Sequence, residues 1–146
     1  MNEVDDVLRL LAAAGTGLLI GIDRDVSGKP VGMRTLSLVS LASALVSISV
    51  IEFQDLRHHP DAISRVIQGV IAGVLTGVGF IGAGVILRDR EAKTVHGLTT
   101  AATVWIAAGL GIACALGAWL LVGTAIAITL LVLFVLGWLE RILGIK

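Results

Sequence analysis

Five long apolar runs, parted only by short charged loops, take up almost the whole of this 146-residue chain, over residues 8–22, 35–51, 69–87, 97–116 and 119–139. A hydrocarbon core about 30 Å thick needs roughly 20 mostly apolar helical residues to cross it. The runs therefore predict an all-α integral membrane protein of five transmembrane helices. Hydrophobic residues make up 56% of the chain, charged residues 15%, and the mean hydropathy is +0.97. A soluble chain of this length could not bury so much apolar surface in one core. The residues between the runs are too few for a second domain, so residues 1–146 are read as a single transmembrane domain.

The acidic start Met-Asn-Glu-Val-Asp-Asp does not resemble the basic n-region of a secretory signal, so the first helix is expected to stay in the mature protein. Lys and Arg mark the cytoplasmic loops of membrane proteins. Arg24, Lys29, Arg34, Arg88, Arg90, Lys93, Arg141 and Lys146 fall on one side, against Arg9, Arg57 and Arg65 on the other. This places the N-terminus outside, the C-terminus in the cytoplasm, and the protein in the bacterial inner (plasma) membrane as a multi-pass chain. The formal net charge is zero. The basic loops serve as topology signals, and no nucleic-acid partner is expected. Trp119 and Trp138 bracket the last helix as interfacial anchors, Trp105 lies deeper as a packing residue, and the lone Cys114 reads as a small packing residue.

The third run carries Gly69, Gly73 and Gly77 at four-residue spacing, then Gly79, Gly82 and Gly84. Small residues so spaced let membrane helices approach closely, which predicts a central third helix with these glycines at its interfaces. Gly77, Gly79 and Gly82 also spell GxGxxG, but that fingerprint binds dinucleotides only where a strand turns into a helix; here it belongs to packing. The fifth run, rich in Leu, Ile and Val, is expected to face lipid. In the second run Ser37, Ser40, Ala44 and Ser47 form one small, weakly polar face. In the fourth, Thr99, Thr100 and Thr103 occupy the cytoplasmic half. These hydroxyls suit helix packing, or else a polar path through Ser37, Ser40, Ser47 and Thr103.

Shifting the chain by 64 residues reveals a repeat. Between residues 15 and 35 seven positions coincide, namely Gly15/Gly79, Ile22/Ile86, Arg24/Arg88, Asp25/Asp89, Lys29/Lys93, Val31/Val95 and Thr35/Thr99. With one inserted residue, Gly32-Met33-Arg34-Thr35 falls instead on Gly97-Leu98-Thr99-Thr100. Both segments would be helix, basic loop, helix in the same orientation, so the repeat is parallel, relating helices 1–2 to helices 3–4 about an axis along the membrane normal. Chance composition is the alternative.

Asp23-Arg24-Asp25 ends the first helix opposite Arg34-Thr35 at the start of the second, and Gly28 and Pro30 turn the short link between them. A carboxylate at the membrane boundary is costly unless hydrated or paired, and an Asp23–Arg34 pair would meet that need. Asp23 and Asp25 are also the candidate oxygen ligands for hydrated Mg²⁺, although two flanking arginines oppose it. Adjacent His58 and His59 lack the ligand spacing of a zinc or nickel site, so no metal site and no resident cofactor are expected.

Three stretches in order, Gly21-Ile-Asp-Arg-Asp25 leading to Gly32-Met-Arg-Thr35, then Gly77-Val-Gly-Phe-Ile-Gly-Ala-Gly-Val-Ile-Leu87, then His96-Gly-Leu-Thr-Thr-Ala-Ala102, resemble the MgtC/SapB membrane family. The resemblance covers the chain through its fourth helix. Asp23 and Asp25 stand where the family usually has Glu, and Leu36 stands where a histidine commonly follows the Arg-Thr pair, which removes a titratable group. What the resemblance implies is the transmembrane domain of a bacterial inner-membrane protein without the soluble C-terminal extension of some members. It also implies a link to low-magnesium adaptation and to control of the rotary ATP synthase.

Two functions follow as expectations. In the first the protein regulates magnesium, other ion or energy homeostasis by touching another inner-membrane protein, or itself as a homodimer, through its small-residue helices. Asp23, Arg24, Asp25, Arg34, Thr35, Thr99 and Thr100 then hold the cytoplasmic end together. In the second it is a small oligomeric transporter or channel whose path runs along the Ser and Thr faces to Asp23. Against this, no ionisable residue lies near the midplane of a run. No nucleophile, base and oxyanion set can be assembled, so enzymatic activity is not expected.

Overall fold

The computed structural model describes residues 3–51, 60–89 and 94–144. Four long helices, α1 (Glu3–Val26), α2 (Met33–Ile51), α3 (Pro60–Val85) and α4 (Leu98–Ala115), precede a fifth stretch. That stretch is α5 (Trp119–Leu131), a π-helical turn (Val132–Leu136) and α6 (Gly137–Ile142), following one another without a break. The five-helix expectation holds, with one addition: residues read as a plain loop pair as a small antiparallel hairpin, β1 (Leu87–Asp89) with β2 (Thr94–His96). Residues 57–59, 90, 93 and 146 lie outside the described residues, and with them His58 and His59.

Segments Met33–Ile51, Ile63–Val85, Leu98–Ala115 and Trp119–Leu139 are each long and apolar enough to cross a bilayer. Helix α1, at 24 residues, has a length of about 36 Å, but Arg9 sits within it and acidic or basic residues crowd both its ends. Its outward residues Val7, Leu11, Leu18 and Leu19 are exposed and apolar, as are Leu120, Leu131 and Phe134 on the last stretch. An apolar outer surface over a buried interior holding Thr16, Ser40, Ser43 and Thr103 is that of a membrane protein, in which lipid replaces water as the solvent.

The central helix is α4, not α3. Of the α4 span 56% is buried, against 11% of the α3 span. The expectation of a central α3 fails because glycine spacing permits close approach on whichever side a neighbour stands, and does not say where one stands. Close approaches occur instead at other glycines. A Cβ on Gly111 would strike the Ser40 carbonyl, one on Gly17 the Leu36 carbonyl, and one on Gly21 the Met33 backbone. These positions bring α1 against α2 and α2 against α4 at backbone distance, which is how packing energy accrues where lipid removes the hydrophobic drive between helices.

Around Gly69, Gly73, Gly77 and Gly84, in contrast, a Cβ would meet nothing within 4 Å. Gly82 faces Ala101 at 3.5 Å and Gly79 the Trp105 ring at 3.9 Å, both ordinary contact. Trp105, read as a deep packing residue, is 48% exposed and lines an apolar groove between the third and fourth helices and the last stretch. Cys114 is fully buried among small residues of the core.

Candidate functional site

Successive residues on a helix point about 100° apart, so Asp23 and Asp25 face different ways. Asp25 is exposed and its Oδ2 accepts the Met33 amide at 2.9 Å. It thereby satisfies one of the free N–H groups that open α2. That carboxylate fills the space a Cβ would need on Gly32. Asp23 and Arg24 turn inward and are almost wholly buried. The turn beyond them closes through Ser27 N–H to the Asp23 carbonyl at 3.0 Å and Lys29 N–H to the Arg24 carbonyl at 2.9 Å, with Gly28 in the left-handed region its fold requires.

Arg24 is the centre of this end. One terminal nitrogen, Nη2, donates to the Thr100 hydroxyl on α4 and to the Pro30 carbonyl at 3.3 Å. Thr103, one turn on, donates to the Thr100 carbonyl at 2.7 Å. A single side chain thus ties the end of α1, the α1–α2 turn and the start of α4. Asp23 Oδ2 lies 3.9 Å from Lys29 Nζ, beyond hydrogen-bond length. That atom, with Arg24 Nε and Nη1, is buried and makes no hydrogen bond among the described residues. Buried charges are held at a cost when their bonding capacity is incomplete.

The expected Asp23–Arg34 pair does not form. Arg34 is exposed on the outer face of α2 while Asp23 points into the bundle, and Lys29 in the turn takes the place foreseen for Arg34. Of the predicted cluster the structure brings together Asp23, Arg24 and Thr100, with Asp25 bonded separately to α2. Thr35 and Thr99 are exposed. The two aspartates do not converge as a ligand pair, and among the described residues no three His, Cys, Asp or Glu side chains gather as for a metal.

Three of the hydroxyls proposed as a polar path, those of Ser40, Ser47 and Thr103, are turned to other use. Thr16 donates to the Ala13 carbonyl at 2.8 Å, which leaves Ser40 as donor to the Thr16 oxygen at 3.1 Å. Ser47 donates to the Ser43 carbonyl, and Ser43 to that of Val39, each at 2.8 Å. Ser40, Ser47 and Thr103 are buried and Ser37 is half-buried. Ser43, absent from the predicted face, belongs to it; its three-residue offset from Ser40 was the available signal.

A second arginine was missed. Arg9 forms a two-atom ion pair with Asp5 at 2.9 and 2.8 Å, and its Nη1 donates to the Ala115 carbonyl at 2.5 Å. It caps the C-terminal end of α4, where free carbonyls and the helix dipole favour a cation. Gly117, in the left-handed region, lies against its guanidinium. The signal was an arginine set inside an otherwise apolar run. Arg9 and Arg24 are 15 residues apart, as are their partners Ala115 and Thr100, so α1 is latched antiparallel to α4 at both ends of about 22 Å of helix.

Two apolar grooves flank α3. One, of about 430 Å³, runs between α2 and α3 and is lined by Thr35, Gly73 and Gly77 among others. The other, of about 940 Å³, lies between α3, α4 and α5 and is lined by Gly79, Gly82, Trp105 and Leu121 among others.

Comparison with known proteins matches residues 10–142 to the MgtC family. Protein SrpB of Synechococcus elongatus is 42% identical over 147 residues, covering 94% of this chain and 78% of its own. Protein MgtC of Salmonella typhimurium is 39% identical over 127 residues, 87% of this chain, and protein SapB of Bacillus subtilis 34% over 145 residues, 97% of this chain. The matches span 49% of that MgtC protein and 61% of that SapB protein. No solved structure matches.

Proposed function

Because the chain belongs to the MgtC family, we propose that it is a multi-pass protein of the bacterial inner membrane that regulates magnesium, other ion or energy homeostasis by contacting another membrane protein. The observation that carries this reading is the bare glycine ridge of α3. Gly69, Gly73, Gly77 and Gly84 have no neighbour where a Cβ would stand, on the least buried of the long helices bearing small residues at such spacing. A ridge of this kind fits a helix of a second membrane protein, because backbone approach there needs no side chain to move. The basic loops favour the N-terminus outside and the C-terminus in the cytoplasm, which sets the Arg24 latch at the cytoplasmic end.

The transporter reading draws less support. Of its hydroxyls, Ser47 and Thr103 are spent on carbonyls of their own helices and Ser40 on Thr16 of α1, and the buried charges of the Asp23 cluster stand at one end rather than at the midplane.

The test is reconstitution of the purified protein into liposomes with an entrapped magnesium indicator, alongside photo-crosslinking from Gly69 and Gly84 in native membranes. The regulator predicts no flux above empty vesicles and one membrane protein captured from both positions. Magnesium flux lost in Asp23→Asn overturns it.

A further inference from the structure

A groove that opens onto the bilayer is filled by something, and its walls decide by what. The larger groove, of about 940 Å³, is recessed along small residues, Gly79, Gly82 and Ala101, which are buried or half-buried, while Ile86, Trp105 and Leu121 stand exposed at its rim. The indole Nε1 of Trp105 is the one polar side-chain atom among the residues that line it. Water kept in a cavity needs roughly two to four polar partners, and an ion needs its charge met as well, so neither is the occupant. The groove is continuous with the lipid-facing surface, because exposed Leu121 on its rim is followed around α5 by exposed Leu120 and Ile128. Its α4 wall runs from Ala101 to Ala113, about 18 Å, and one leaflet of bilayer hydrocarbon is about 15 Å deep.

We infer that this groove is a binding site for an acyl chain of a bilayer phospholipid, which fills the gap between α3 and the last stretch. Lipid on a flat apolar surface touches protein on one side. A chain in the groove is touched by α3, α4 and α5 together, and dispersion attraction grows with the number of atoms in contact. Trp105 supplies the broadest contact. Its ring lies beside Gly79, where even a Cβ would stand 3.9 Å from Nε1, so no side chain of α3 takes the place of the chain. With no charged or hydroxyl-bearing side chain on the wall, the site reads hydrocarbon and not the headgroup. The bound chain gives α3, whose span is 11% buried by protein alone, the packing that the bundle does not supply. The inference is independent of the regulator reading, which rests on Gly69, Gly73, Gly77 and Gly84, none of which lines this groove.

Trp105 is the reporter. Protein carrying Trp119→Phe and Trp138→Phe is titrated in detergent micelles with phosphatidylcholine brominated along its acyl chains, which quenches indole fluorescence on contact. The reference carries Trp105→Phe and Trp138→Phe and keeps Trp119, which is 49% exposed against 48% for Trp105 but does not line the groove. A site predicts quenching of Trp105 that saturates at about one lipid per chain, while Trp119 declines only in proportion to the lipid in the micelle. Gly109→Leu puts a side chain into the groove, where a Cβ meets nothing within 4 Å, and should weaken the saturable phase by about tenfold. Gly123→Leu, equally free of neighbours but outside the groove, leaves it unchanged. Elution as a single species with unchanged helical circular dichroism certifies each variant, and Ala102→Leu replaces Gly109→Leu if that one fails. Quenching of Trp105 that merely tracks Trp119 overturns the inference, as does a saturable phase that survives the filled groove. So does quenching that weakens as protein concentration rises at a fixed lipid ratio, which would make a second copy the occupant.

Discussion

Helices α1 and α3 fall at matching positions when the chain is shifted by 64 residues, yet the bundle treats them differently. Helix α1 meets α2 through Gly17 and Gly21 at backbone distance and is fixed to α4 by an arginine at each end. Helix α3 has more glycines and fewer contacts, and stands between two grooves. The difference teaches that glycine in a membrane helix is permission rather than instruction. Polar latches decide which permissions are used, because a charge-assisted hydrogen bond made away from water fixes both position and register.

The comparison breaks first at Gly111. A side chain there must displace the Ser40 backbone, so Gly111→Leu is expected to cost more than about 3 kcal/mol, read as loss of the folded fraction on denaturant titration in mixed micelles. Removing the Arg24 latch should come next. Arg24→Ala strips a fully buried cation from Thr100 and Asp23 and is expected to cost about 3 kcal/mol. Thr100→Val should cost about 1.5 kcal/mol, and a double-mutant cycle should show strong coupling between the two. At the opposite end of the helix Arg9→Ala loses the α4 cap and is expected to cost about 1–2 kcal/mol, with faster amide exchange at the end of α4 as its local signature. The smallest effect belongs to α3. Gly69→Ala meets nothing and should be neutral or stabilising by under about 1 kcal/mol. A large loss there would mean that the ridge is already covered in the resting protein.

The sequence carried the fold class because the bilayer imposes it: runs of the right length with no internal partner for their backbone can only be helices. It carried the lipid-facing last stretch for the same reason. The cluster at the α1–α2 turn was legible as a set of residue types, and Asp23, Arg24 and Thr100 do meet. Their pairing was not legible. Asp23 to Arg34 looked natural across a short turn, but the helical phase sends Asp23 inward and leaves Arg34 outside, and phase relative to neighbours is a property of the assembled bundle. The Ser face of α2 was seen with Ser43 omitted, since its apolar neighbours conceal the periodicity.

Composition, run length and glycine spacing, all local, determined by themselves that this chain is a helical membrane protein with unusual freedom for close packing. Only the tertiary structure decided that α4 is the centre, that Arg9 and Arg24 latch α1 to it, and that the glycines of α3 look out over open grooves. A helix of small residues can be approached from any side at similar cost, and which side is taken depends on the neighbours' shapes and on where their few polar groups find partners.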